Sequence, residues 1–239
     1  PIKTMSDTIN TYQNWNGSSF GSSWGPDATN AYGQSFTTSS SLQLTDLTFY
    51  IKSNDSFSFK AYIYSFDPST RKISGSPLYE TIAQSFVGNG SYQAVTVDSS
   101  DAVTNDTLSS GNFAAFYSVN EPGGSHSPNP AGNPIVANDS GVSYWGKNTS
   151  DVYSGGKAIY YHTDAFNNGV WTDWGNDMAF ILNLNAPDSG DATYSITGQK
   201  YAGKTLTAGL SANDPDGNGS VTSFTWQFSS DGSNWNNIT

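Results

Sequence analysis

The segment from Leu42 to Phe66 has the most regular alternation of side chains in the chain. In residues 47–51 and 57–63, apolar side chains alternate with polar or tyrosine side chains, the period of a β-strand with one face on a core. The alternation slips by one residue at Thr45-Asp46, which predicts a β-bulge. The polar run 52–56 predicts a turn that joins the two strands into a hairpin.

Short apolar stretches separated by turn-forming residues recur through the first 185 residues. They predict strands at residues 31–38, 78–86, 92–97, 112–119, 142–145, 157–161 and 178–184. The turn 87–90 predicts a second hairpin, whereas the segment 10–30 is predicted to be loop-like. Because a hairpin cannot bury its own apolar face, a second sheet must cover it. We therefore predict an all-β fold, an antiparallel jelly-roll-like β-sandwich.

The stretch from Ala186 to Asp191 interrupts the strand pattern and predicts a linker. It separates the predicted sandwich, residues 1–185, from a second and smaller β-domain, residues 192–239. The second segment contains predicted strands at residues 194–196, 205–208 and 221–228. Three or four strands are too few for an independent core, so this domain is predicted to be partial.

Composition and charge narrow the choice of function. The formal net charge is −11, and only nine Lys and Arg residues are spread over 239 positions. No basic patch results, which excludes a nucleic-acid-binding surface and disfavours an anionic membrane surface. The sequence contains no transmembrane run, so no membrane insertion is expected. It contains no cysteine, which excludes disulfides, thiol catalysis and thiolate metal sites.

The second segment resembles bacterial immunoglobulin-like repeats. The resemblance is carried by residues 203–208 (GKTLTA), 214–219 (DPDGNG) and 226–235 (WQFSSDGSNW) and covers about the first half of one repeat. Such repeats are strung together in very large secreted adhesins and surface proteins of bacteria. The resemblance therefore implies a partial immunoglobulin-like domain, an extracellular or cell-surface location and a role in adhesion.

The first segment resembles jelly-roll domains of bacterial surface-anchored exoproteins. The resemblance is carried, in chain order, by residues 34–37, 47–50, 61–64, 78–79 and 177–180. It implies an extracellular sandwich and leaves the ligand open.

A calcium site is predicted in the second segment. Asp214, Asp216 and Asn218 alternate along a glycine-rich loop, as ligands do when successive oxygens point at one ion. In an immunoglobulin-like topology this loop lies at the pole where the chain enters, close to the linker acids Asp188 and Asp191. The alternative is a polar turn without an ion.

A carbohydrate site is predicted in the first segment, because flat aromatic faces beside Asp and Asn suit sugar rings and their hydroxyls. Six aromatic residues lie in or beside loops rich in Asn, Asp and Gly: Trp15, Trp24, Tyr144, Trp145, Trp171 and Trp174. The best candidate binding residues are Tyr144, Trp145, Trp171, Asp173 and Trp174. If they lie at an exposed rim, replacing Trp145 or Trp171 by Ala costs little stability. The alternative is that these tryptophans close the ends of the sandwich.

Catalytic motifs are weak. Glu80 and Glu121 are the only glutamates, His126 and His162 are far apart in sequence, and no nucleophile-elbow or zinc-protease motif is present. We therefore predict no enzyme activity. The predicted function is that of an extracellular adhesion or carbohydrate-binding module of a large bacterial surface protein, stabilised by calcium, with glycans or further copies of itself as partners. The alternatives are a structural subunit of a filament or surface layer and a polysaccharide-active enzyme.

Overall fold

The computed structural model describes residues 6–24, 29–119, 143–162, 170–187, 190–199, 201, 203–214 and 223–238, with two short strands at 122–123 and 127–128. The contacts within the chain divide it between residues 187 and 188 into a large unit and a small unit. Apart from two single-turn 3₁₀ helices, Tyr12–Asn14 and Ser99–Asp101, the regular structure of these residues is β-strand. The predicted all-β class is confirmed.

No helix in the described ranges is long and apolar enough to cross a bilayer.

The strands of the large unit follow one another at short intervals. In chain order they are β1 (Ser6–Asn10), β2 (Phe20–Trp24), β3 (Thr29–Thr38), β4 (Gln43–Lys52), β5 (Phe57–Asp67), β6 (Lys72–Thr81), β7 (Gln84–Phe86), β8 (Tyr92–Asp98), β9 (Ala102–Asn105), β10 (Gly111–Ser118), β11 (Pro122–Gly123), β12 (Ser127–Pro128), β13 (Ser143–Gly146), β14 (Ala158–His162), β15 (Thr172–Asp173) and β16 (Phe180–Asn185). All of these except β11 and β12 belong to one hydrogen-bonded sheet, which folds over on itself into an antiparallel sandwich. Layer A contains β1, β2, β4, β8, β13 and β16, and layer B contains β3, β5, β6, β7, β9, β10, β14 and β15.

The core of the large unit is an aromatic contact between the two layers. Phe49 and Phe180 project from layer A, and Phe59 and Tyr117 project from layer B, all of them fully buried. The rings of Phe49 and Tyr117 meet edge to face with centroids 5.0 Å apart. The Tyr117 hydroxyl donates a hydrogen bond of 2.8 Å to the carbonyl oxygen of Leu47. Layer B is therefore joined to the backbone of layer A as well as to its side chains.

The predicted bulge in β4 is confirmed. Asn183 pairs with Asp46 and Leu184 pairs with Leu44, so Thr45 has no partner on β16. The extra residue restores the alternation, since Leu44 and Leu47 are both buried in the core although three positions separate them.

The predicted hairpin between β4 and β5 is wrong. β4 pairs with β8, β13 and β16, whereas β5 pairs with β6, β7 and β10. The turn 52–56 therefore carries the chain from layer A to layer B, and the two strands face each other across the core. A period of two shows which side chains face the core, but it does not show whether neighbouring strands pair or stack.

The predicted hairpin at 87–90 is wrong for the same reason, because β7 pairs with β5 in layer B and β8 pairs with β4 in layer A. The two crossings lie side by side. The Gly90 amide donates a hydrogen bond of 2.9 Å to the Ser53 carbonyl oxygen. A β-carbon on Gly88 would lie 2.4 Å from the Asp55 carbonyl oxygen, so this close approach requires glycine.

The segment 10–30 is not the loop that its Gly and Ser content predicts, since it contains β2 and the start of β3. Gly21 of β2 leaves room for Trp174, because a β-carbon there would lie 2.3 Å from the indole. Trp24 is fully buried between the layers. The Gly and Ser content predicts a loop here, but in this strand the small residues leave space for large side chains that pack against it.

The small unit contains two strand pairs, β17 (Thr193–Gly198) with β18 (Leu206–Ala212) and β19 (Gln227–Phe228) with β20 (Asn236–Asn237). β17 and β18 agree with the predicted strands. The predicted strand 221–228 is wrong for residues 223–226, which are irregular, and residues 221–222 lie outside the described ranges. Nine large apolar side chains of this unit are 37–75% exposed: Tyr194, Ile196, Tyr201, Leu206, Leu210, Phe224, Phe228, Trp235 and Ile238.

Acid stability is expected to depend on Asp67, which ends β5. Its carboxylate accepts hydrogen bonds from the Ser69 hydroxyl at 2.6 Å and the Thr70 hydroxyl at 2.7 Å. These hydroxyls, with the Ser69 amide, lower the pKa of Asp67 to about 2. The ordinary value is about 3.9. Because the folded pKa is the lower one, the carboxylate stabilises the fold above pH ~4, and this contribution is lost as the pH falls toward ~2. The melting temperature of Asp67→Asn should therefore fall less steeply between pH ~4 and pH ~2 than that of the wild type. Equal slopes would contradict this assignment.

Candidate functional site

Aromatic side chains converge on the outer face of layer A. Tyr144 of β13 pairs with Lys52 of β4, and Lys52 pairs in turn with Tyr92 of β8. Directly opposed residues in a sheet point to the same face, and so does Tyr50, two positions before Lys52. Three tyrosines and a lysine on three adjacent strands therefore share the face that points away from the core.

Two residues between β1 and β2, together with the first residue of β2, add three more rings to this face. Tyr12 stacks on Tyr50 with ring centroids 3.9 Å apart and an interplanar angle of 8°. Trp15 meets the Tyr92 ring edge to face at 4.7 Å, and Phe20 meets the Tyr144 ring in the same way at 4.8 Å. These six residues form what we call the outer aromatic patch: Tyr12, Trp15, Phe20, Tyr50, Tyr92 and Tyr144.

Trp15 is held over the sheet by two features. Its indole N–H donates a hydrogen bond of 2.7 Å to the Ser19 carbonyl oxygen. A β-carbon on Gly146 would lie 2.9 Å from the indole ring, so the glycine in β13 lets the indole lie close to the strand. The position of Trp15 in the patch is thus fixed by packing and by a hydrogen bond.

The outer aromatic patch remains accessible to solvent. Phe20 is 50% exposed and Tyr12 is 40% exposed. The other four residues of the patch are half-buried. An open cavity of about 530 Å³ lies against the patch and is lined by Gly17, Ser18, Phe20, Lys52, Gly90, Ser91, Tyr92 and Tyr144.

The hydroxyls of Tyr50 and Tyr92 stay protonated at neutral pH and can act as hydrogen-bond donors. Burial, and then the neighbouring Tyr12, raises the pKa of Tyr50. Burial, and then the neighbouring Tyr144, raises the pKa of Tyr92. The Lys52 ammonium lies 6.0 Å from the centroid of the Tyr92 ring. The cavity therefore offers tyrosine and serine hydroxyls, the Lys52 ammonium and aromatic rings.

Of the five predicted carbohydrate-binding residues, Tyr144 belongs to the outer aromatic patch. Its neighbour Trp145 is fully buried on the opposite side of β13. The ring centroids of Trp24 and Phe49 each lie 4.9 Å from that of Trp145. Adjacent residues of a strand point to opposite faces, so Tyr144 and Trp145 cannot share a surface site. The expectation that Trp145 lies at an exposed rim is wrong.

Trp171 is also fully buried, on the outer side of layer B. Its ring centroid lies 4.7 Å from that of Phe116 and 5.6 Å from that of Tyr161. These residues belong to a second apolar cluster, which covers the face of layer B that points away from the main core. The expectation of an exposed rim position is therefore wrong for Trp171 as well.

The remaining two predicted residues are separate from the patch. Trp174 is half-buried, with its ring centroid 4.7 Å from that of Tyr160 and 5.2 Å from that of Tyr32. The Lys147 ammonium lies 4.6 Å from the centroid of the Trp174 ring. Asp173 is exposed and lines a different cavity, next to Arg71. The predicted cluster 171–174 is thus divided between core packing and a second surface.

Sequence reasoning missed Tyr12, Phe20, Tyr50 and Tyr92, and it considered Trp15 for sugar binding without placing it among the best candidates. A usable signal was present for Tyr50, because it occupies a polar position of an alternating strand, where an aromatic ring faces water. No comparable signal exists for Tyr12, because its position depends on how the chain between β1 and β2 crosses layer A.

The predicted calcium ligands are only partly described. Asp191 is exposed and Asp214 is half-buried, while Asp188, Asp216 and Asn218 lie outside the described residues. Within the ranges that the structure describes, no three His, Cys, Asp or Glu residues form a group able to hold a metal ion. The calcium site stays a prediction.

In comparisons with known proteins, no family model, curated protein or solved structure matches this chain. The two family resemblances stay predictions, and the physical features of the outer aromatic patch carry the functional conclusion.

Proposed function

We propose that the large unit is a carbohydrate-binding module that holds glycans on the outer aromatic patch. The observation that carries this proposal is the position of the six rings on the outward face of layer A, beside an open cavity of about 530 Å³. Outward positions of an antiparallel sheet are ordinarily polar, so contiguous aromatic residues there indicate a binding surface.

The chemistry of the patch suits a sugar better than other ligands. A pyranose ring has an apolar face that packs on an aromatic ring and a rim of hydroxyls that need donors and acceptors. Phe20 supplies a half-exposed ring, and Tyr92, Tyr144 and Ser91 supply hydroxyls around the same cavity. A chain of net charge −11 is poorly suited to nucleic acid or an anionic bilayer.

The setting of this module is an extracellular adhesion protein of a bacterial surface. The resemblance of residues 203–208, 214–219 and 226–235 to repeats of large secreted adhesins supports this assignment, and the absence of cysteine is compatible with it. Calcium bound by the acids around Asp214 would stabilise the small unit. The module binds glycans and does not act on them.

A glycan array probed with the full chain tests the proposal, followed by titration of the best ligand against variants. Phe20→Ala and Tyr144→Ala should each weaken binding about two- to tenfold, because each removes a stacking interaction of roughly 0.5–1.5 kcal/mol. Tyr201→Ala is the matched control, since Tyr201 is a 75% exposed aromatic residue outside the patch. Its affinity should equal that of the wild type.

Three results would contradict the proposal. Binding that Phe20→Ala and Tyr144→Ala leave unchanged would place the ligand elsewhere. Filaments seen by negative-stain microscopy, in the absence of any glycan binding, would favour the structural-subunit alternative. New reducing ends released from a polysaccharide would favour the enzyme alternative.

A further inference from the structure

Arg71 has an unusual backbone conformation. Its φ is +56°, and no other described non-glycine residue has a positive φ, whereas eight described glycines do. A side chain in this region is strained, because its β-carbon crowds the neighbouring carbonyl oxygen. Glycine would relieve that strain. A strained residue that carries a large charged side chain suggests that the side chain has a function.

The structure holds this backbone from two sides. Before it, the Asp67 carboxylate accepts hydrogen bonds from the Ser69 amide at 2.8 Å and the Thr70 hydroxyl at 2.7 Å, which fixes the turn. Behind it, the Trp171 amide donates a hydrogen bond of 2.8 Å to the Arg71 carbonyl oxygen. Because Trp171 is fully buried, Arg71 is anchored to the outer cluster of layer B.

The Arg71 side chain lines an open cavity of about 340 Å³, which we call the Arg71 pocket. Phe66, Lys157, Ile159 and Asp173 also line this cavity. Phe66 and Ile159 are buried and supply an apolar floor.

The two described cations that line the pocket, Arg71 and Lys157, differ in their ion pairing. The Lys157 ammonium forms an ion pair of 2.7 Å with Asp151. Arg71 is exposed, and no carboxylate of the described residues lies within ion-pair distance of its guanidinium. Asp173, also exposed, lines the same cavity. Among the described residues of the pocket, a ligand therefore meets the guanidinium of Arg71, free of an ion pair, and the carboxylate of Asp173 above an apolar floor.

We propose that the Arg71 pocket binds an acidic sugar, a hexuronate residue of a polysaccharide. The guanidinium offers two parallel N–H donors to the uronate carboxylate, the pairing for which arginine geometry is best suited. Asp173 accepts hydrogen bonds from ring hydroxyls, and Phe66 and Ile159 contact the apolar face of the ring. A phosphate monoester carries more negative charge than a carboxylate and is more strongly disfavoured by Asp173. This site does not depend on the outer aromatic patch, which is built on layer A.

Titration of the full chain with tri-galacturonate, followed by NMR or calorimetry, tests the inference. The uncharged methyl ester of the same trisaccharide should bind at least about tenfold more weakly, because it cannot form the charge-assisted pair. Arg71→Gly should lose about the same factor and should also melt at a higher temperature than the wild type, since glycine relieves the strained φ. Arg71→Asn, which tolerates the same conformation, should lose the same affinity.

Lys72→Ala is the matched control, because it removes one exposed cation from the adjacent position and should leave affinity for tri-galacturonate unchanged. Phe20→Ala should also leave it unchanged. Equal affinity for the acid and its ester, or full affinity in Arg71→Gly, would overturn the inference. So would loss of binding in Phe20→Ala with retention in Arg71→Gly, which would place the acidic sugar on the outer aromatic patch.

Discussion

Replacement of Trp145 by Ala should lower the free energy of unfolding by about 3–5 kcal/mol, the range for large buried side chains. Trp145 is fully buried, and its ring contacts those of Trp24, Tyr32, Phe49 and Tyr117 from both layers. Removing the indole would leave a cavity that neither sheet can collapse to fill. The measurement is urea denaturation followed by tryptophan fluorescence and far-UV circular dichroism.

Tyr144→Ala is the matched control for this change, since the two residues are adjacent in β13 and point to opposite faces. Tyr144 is half-buried on the outer face, so its replacement should cost only about 1 kcal/mol. Trp145→Phe should fall between the two, because it keeps one aromatic ring in the core. Similar losses for Trp145→Ala and Tyr144→Ala would contradict the assignment of the two faces of β13.

A buried polar network around Asp177 should produce the second large effect. One carboxylate oxygen of Asp177 accepts a hydrogen bond of 2.7 Å from the Gln34 side-chain amide. The other accepts bonds of 2.7 Å and 2.9 Å from the amides of Val152 and Tyr153. The side-chain carbonyl of Gln34 accepts in turn from the Met178 amide at 2.9 Å. Asp177 thus joins three distant parts of the large unit.

Asp177→Asn should cost about 2–4 kcal/mol, because the introduced amide group faces the amide group of Gln34 and a buried donor loses its acceptor. The double variant Gln34→Glu/Asp177→Asn should recover much of this loss. In it, the carboxylate at position 34 accepts from both the Met178 amide and the amide at position 177, while the carbonyl at position 177 still accepts from Val152 and Tyr153. A double-mutant cycle measured by urea denaturation gives the coupling.

A loss in the double variant equal to the sum of the two single losses would show that Gln34 and Asp177 do not act as a pair.

The charge of Asp177 also affects how the stability of the fold depends on pH. Burial raises the pKa of this carboxyl, although the three hydrogen bonds oppose the shift. Because the folded pKa is raised, protonation of Asp177 favours the folded state as the pH falls from the folded pKa to the unfolded one. This contribution has the opposite sign to that of Asp67.

Of the predicted sugar-binding residues, some lie at the surface and others lie in the core. The sequence predicts Asp173 and Tyr144 as sugar-binding residues, and the structure places them on two different cavities. The sequence also predicts Trp145 and Trp171, because tryptophan beside polar residues is typical of sugar sites, yet both are core residues. Residue type alone does not distinguish these cases, because the same indole serves as a core side chain or a binding platform according to which face of the sheet it occupies.

The sequence alone predicts the all-β class, the positions of β3, β10 and β16, and the bulge at Thr45. These features depend on side-chain period and turn chemistry, which are local properties of the chain. The three-dimensional fold was needed to show that β4 and β5 lie in opposite layers, that Tyr12 stacks on Tyr50, and that Arg71 lines a cavity with Asp173. Each of these depends on which distant strands pair and which face of a strand is covered, and a period of two is the same for either outcome.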